Sequence, residues 1–117
     1  MHLGRRNRKQ YLRVRENARA LIRARIEHFN AVYGFRVGKV FIKNHKSHWG
    51  SCSEKGNLNF NYKLVFLPAE IADYIIVHEL CHLAEFNHSS RFWSLVERAT
   101  PHHKTFRKQL RLIEQKR

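Results

Sequence analysis

Residues 69–85 read as a helix that is apolar almost all the way round, and this segment constrains how the rest of the chain can be arranged. Ile71, Ala72, Tyr74, Ile75, Ile76, Val77, Leu80, Cys81, Leu83 and Ala84 leave no polar stripe wide enough for a solvent face. Such a helix belongs inside the protein, with the other elements packed about it. Pro68 suits its first turn, Glu70 and Asp73 lie near its positive end, and Asn87 can end it. With 117 residues, 43% of them apolar, the chain has material for one core, so residues 1–117 are expected to form a single domain.

From about Arg8 to Tyr33, Tyr11, Val14, Ala18, Leu21, Ile22, Ile26, Phe29, Val32 and Tyr33 recur at helical spacing. Arginines fill the other face and Gly34 is a plausible stop. The alternative for residues 1–9 is a frayed basic tail. Residues 35–67 change character. Val37, Val40, Phe41 and Ile42 suggest one strand, Ser47–Ser53 a second, and Leu58–Tyr62 a third with period-two alternation. Glu54-Lys55-Gly56-Asn57 is turn material between the last two. Ser89 is a good N-cap for a helix from Ser90 to about Ala99, and Thr100-Pro101 repeats the signal for a last helix carrying Phe106, Leu110 and Ile113. The expected fold is α+β: an N-terminal helix, a small antiparallel sheet, the central helix and two C-terminal helices.

The central helix carries His78-Glu79-Leu80-Cys81-His82. Histidines at i and i+4 share a face, so both imidazoles can point at one metal ion. Glu79 is one position along from His78, placed to act as general base toward a water rather than as a ligand. His88 lies just past the helix end, where a turn at Phe86-Asn87 can fold it back. His78, His82 and His88 with an open position is the donor set of a catalytic Zn2+ site, whereas structural sites are closed by four protein ligands. Glu97, on the following helix, and Glu85 are the other candidates for third ligand. Burying three histidines and four acids in an apolar setting without a partner would be costly. The competing reading makes His78 and His82 core histidines bonded to backbone carbonyls.

The net charge of +14 comes from 23 Lys and Arg against nine acids. Residues 5–25 hold nine basic residues against Glu16, while Leu64 to Ser90 holds none. The basic ends are a candidate nucleic-acid contact, and the chemistry sits in the unbasic middle. Cys52 and Cys81 are too few for a disulfide framework and fit no zinc-binding spacing. No apolar h-region follows the basic N-terminus and no run approaches roughly 18 apolar residues, so the expected location is the cytoplasm, with no membrane contact.

The run from Trp49 to Trp93 carries a resemblance. Trp49-Gly50-Ser51-Cys52-Ser53, Gly56-Asn57-Leu58-Asn59, Pro68, Asp73-Tyr74, His78-Glu79-Leu80-Cys81-His82 and Asn87-His88-Ser89-Ser90-Arg91-Phe92-Trp93 resemble the YgjP-like metallopeptidases, themselves similar to WLM and SprT-like zincins. The resemblance implies a zincin-like core with His78, His82 and His88 on zinc, Glu79 as catalytic acid/base and a polypeptide substrate. Three departures stand out: His48 replaces the arginine that usually precedes Trp-Gly-Ser-Cys, Pro101-His102-His103 lacks the family's aromatic, and a β-rich N-terminal half is missing. Glu85 where metzincins have glycine, and Met1 as the only methionine, exclude that branch.

For the oxyanion, Tyr62, His102, His103 and Arg91 are candidates. By analogy with zincins, Trp49–Ser53 or Leu58–Tyr62 would align the peptide as an edge strand. Two other readings remain. One is a nucleoside triphosphate (UTP) pyrophosphatase, disfavoured by the lack of basic clamps before Arg91. The other is a basic nucleic-acid-associated zinc protein, including a SprT-like protease acting on DNA-bound proteins.

Overall fold

A computed structural model describes residues 7–115. Helix α1 spans Arg8–Tyr33, opened by Asn7, whose side chain accepts from the Gln10 N–H, and closed by Gly34 in the left-handed conformation at φ 71°. Arg8 and Lys9 are therefore helical rather than frayed, and residues 1–6 lie outside the described residues. Ala18, Ile22 and Ile26, four apart, form its buried seam.

Three strands follow, β1 (Val40–Lys43), β2 (Gly50–Cys52) and β3 (Leu58–Asn61). Their order is β1-β3-β2. The β2–β3 pair is the expected antiparallel hairpin, turned through Ser53 to Asn57. The sheet as a whole, however, is mixed: β1 runs parallel to β3. The reason is tertiary. Residues 44–49 carry the chain past β3, and the fully buried Asn61 holds them there by donating from Nδ2 to the carbonyls of His45 (2.8 Å) and His48 (3.1 Å). Local alternation says which residues face inward but not which strand is the neighbour. A 3-10 turn at Tyr62–Phe66 then leads to α2 (Ala69–Cys81), α3 (Ser90–Ala99) and α4 (His103–Gln115).

Helix α2 is the axis of the core, packed by α1, α3, α4, β2 and the 3-10 turn. It ends at Cys81 rather than near Glu85. His82 caps it, and the Leu83 N–H bonds to the Leu80 carbonyl at 3.0 Å, tightening the last turn. Pro68 sits one position before the helix, and its carbonyl accepts from both Ile71 and Ala72. Arg25 of α1 grips Asp73 of α2 with two hydrogen bonds, 3.0 and 2.9 Å. Tyr33 donates to the Leu95 carbonyl at 2.6 Å, tying α1 to α3. Among the described residues no helix is long and apolar enough to cross a membrane.

Candidate metal centre

The histidines come from one helix and the turn that follows it. His78 and His82 share a face of α2 at its C-terminal end, and His88 returns over them from the turn preceding α3. Ser89 stops that turn by capping α3, its Oγ accepting from the Phe92 N–H at 3.3 Å. The Nε2 atoms of His82 and His88 each lie 3.2 Å from Nε2 of His78. One ring nitrogen from each of the three falls within 4.8 Å of the others. Phe92 of α3 forms the floor, stacked on His82 at 4.4 Å between ring centroids and edge-on to His78 and His88. Trp93 lies almost parallel to His88 at 6.0 Å.

The donor set fits a tetrahedral cation. Nitrogens about 2.0–2.1 Å from zinc and related by a tetrahedral angle stand about 3.3 Å apart, close to the spacing here. His82 donates Nδ1–H to the Glu85 carbonyl at 2.9 Å, which leaves its Nε2 lone pair facing the cluster. A single proton on His78 Nε2 cannot bridge both close contacts, so three neutral rings leave lone pairs opposed. Burial, reinforced by His82, His88 and Arg107, holds the His78 pKa down at about 3, so the ring stays neutral and available as a donor. The carbonyl-bonded core-histidine reading describes one nitrogen of His82 and leaves these contacts unexplained.

Glu79 is 8% exposed, and burial raises its pKa to about 7. It is tucked beneath β2: a Cβ on Gly50 would stand 3.1 Å from Glu79 Cγ. With His78 it lines a cleft of about 320 Å³ whose other walls are His48, Trp49 and Gly50 on the strand side, Tyr74 on α2, and Arg107, Arg111 and Glu114 on α4. Trp49 Nε1 donates to Glu114 at 3.2 Å, so the residue just before β2 and the last helix touch. A larger hollow of about 410 Å³ between α1 and α2 is apolar apart from Arg25 and Asp73, which bind each other.

Several expected participants stand elsewhere. Tyr62 is fully buried and donates to Gln10 Oε1 at 2.7 Å, on the α1 side. Arg91 is exposed beside Glu85, 3.9 Å away, and His103 is buried flat against Trp93. Glu97 lines a separate hollow with His103 and Lys104, and the metal-competent cluster among the described residues contains neither it nor Glu85. Leu58–Asn61 is the central strand, paired on both sides, so it offers no free edge; β2 does. Both cysteines are free thiols, raised to about 11 mainly by burial. The cleft's α4 wall was missed in the sequence. The signal available was Arg107, Arg111 and Glu114 at helical spacing on one face.

A family model described as YgjP-like, metallopeptidase domain, matches residues 4–112. The chain belongs to the YgjP-like metallopeptidase family. Among solved structures, the metallopeptidase zymogen of Pyrococcus abyssi abylysin is 28% identical with a TM-score of 0.72, over 80% of this chain and 95% of that one. The zymogen of Methanocaldococcus jannaschii jannalysin is 23% identical with a TM-score of 0.66 over the same shares, a likeness of fold. No curated protein matches.

Proposed function

We propose that the chain is a zinc-dependent peptidase in which His78, His82 and His88 hold the metal and Glu79 is the general base. The observation that carries this reading is the pair of 3.2 Å contacts at His78 Nε2 in a cleft that Glu79 also lines. When bound, zinc would supply Lewis acidity toward the substrate carbonyl and make water a better acid. Glu79 takes a proton from the attacking water and hands it to the leaving nitrogen. Burial keeps its pKa close to neutrality, where a group can do both. The free edge of β2 runs beside α2 and is the natural place for main-chain hydrogen bonds to an extended peptide. Tyr74, which lines the cleft, takes the place of Tyr62 as the tyrosine candidate for oxyanion donor.

Glu79→Gln should keep stoichiometric zinc by elemental analysis and lose casein hydrolysis by about 10²-fold or more. Retained hydrolysis would refute the assignment of Glu79. The second reading, a UTP pyrophosphatase, gains from one observation: α4 brings Arg107 and Arg111 into the cleft, supplying the basic clamps that the motif segment lacks. Turnover of UTP and of casein, each with and without chelator, separates the two.

A further inference from the structure

We propose that the cleft selects substrates bearing a carboxylate near the bond to be cut, and that Arg107 and Arg111 recognise it. This rests on the peptidase reading and names its substrate class.

The two arginines lie one turn apart on the same face of α4, and both line the cleft that His78 and Glu79 line from the other side. Among the described residues neither forms an ion pair. Neither acid on the cleft wall pairs with them: Glu114 accepts from Trp49 Nε1, and Glu79 is buried under β2. Arg107 has a defined position. Its guanidinium carbon sits 5.2 Å from the centroid of Trp93, a ring that also stacks with His88 and with His103. One guanidinium is thus anchored at the histidine end of the cleft, and the second stands a turn farther along it.

A planar fork of N–H donors with no ion-pair partner among the described residues, facing a peptide-binding cleft, matches a carboxylate in charge and in geometry. The net charge of +14 adds a long-range pull on acidic chains. A peptide offers carboxylates from Asp and Glu side chains and from its C-terminus, and the two sources call for different probes.

The zinc-loaded full chain is assayed on peptides identical except for Glu, Gln or Lys at one position, scanned along the sequence and amidated at the end. A neutral peptide with a free C-terminus is the parallel arm. At one position kcat/KM should fall roughly three- to tenfold from Glu to Gln and further to Lys, and the spread should narrow at high salt. If only the free C-terminus confers the advantage, the carboxylate is the chain end. Arg111→Glu should reverse the order, favouring Lys, which a merely structural role would not do. Arg107→Gln should compress the Glu-to-Gln ratio. The inactive, zinc-loaded Glu79→Gln protein, titrated with labelled peptides by fluorescence anisotropy, should bind Glu above Gln above Lys. Equal rates and equal affinities across both arms, or an order unmoved by Arg111→Glu, would overturn the proposal. Failure of the wild type to cut any peptide sinks the peptidase reading alone, since the affinities of Glu79→Gln still decide the arginines.

Discussion

Gly50 illustrates how little room surrounds the Glu79 side chain. A methyl group there would meet Glu79 Cγ, Phe60 Cδ1 and the Asn59 carbonyl, each at 3.1 Å. Two of these are held by the β2–β3 ladder and the core, so Glu79 is the group free to give. Gly50→Ala is expected to cost about 1–3 kcal/mol of stability, read as a lower denaturant midpoint. It should also depress kcat more than zinc content, because the displaced atom belongs to Glu79 and not to the histidines. His103 makes a different prediction. It is buried against Trp93, and burial lowers its pKa, with Lys104 and Arg107 adding to the effect and Glu97 opposing it. The unfolded chain therefore binds a proton that the folded chain resists. Stability from this residue is complete above the ordinary histidine pKa of about 6.5 and falls as pH drops through that value toward the lower folded one. His103→Phe should flatten part of the fall between about pH 7 and 5 in urea unfolding.

At the scale of elements, the site is a junction between the end of one helix and the start of the next. Helix α2 presents His78 and His82, whereas His88 depends on how α3 begins. The Ser89 cap and the Phe92 ring beneath all three imidazoles set that entry. Ser89→Ala is expected to cost about 1 kcal/mol in stability. Because the lost hydrogen bond sits next to a ligand candidate, zinc affinity in a competitive chelator titration should also weaken. Unchanged affinity would mean that Phe92 alone positions His88. The Arg25–Asp73 pair works from the other side, locking α1 against the helix that carries His78 and His82.

Taken as a whole, the molecule places its charge and its chemistry apart in sequence but partly together in space. The α1 arginines Arg13, Arg15 and Arg23 are exposed, while Arg107 and Arg111 come round to the cleft. Zinc should bind the folded chain far better than the unfolded one, because the three nitrogens converge only after α2 and the turn before α3 are formed. Free zinc at 100 times its dissociation constant should then add about 2.7 kcal/mol, seen as a raised Tm that chelator reverses. No shift with zinc would argue that the histidines are not a metal site.

The linear order of residues was enough for whatever depends on neighbours a few positions apart. The all-apolar helix had to be central, His78 and His82 had to share a face, Ser89 had to start a helix, and the α+β order of elements followed from period and caps. Long-range pairing was beyond its reach. The parallel alignment of β1 on β3 rests on Asn61 holding the loop at His45 and His48. The withdrawal of Tyr62 to Gln10 and the arrival of Arg107 and Arg111 opposite Glu79 rest on how α1 and α4 pack against α2. Local spacing encodes which side of an element a residue occupies. Which other element that side meets is settled by the packing of the whole core, where contacts join residues tens of positions apart.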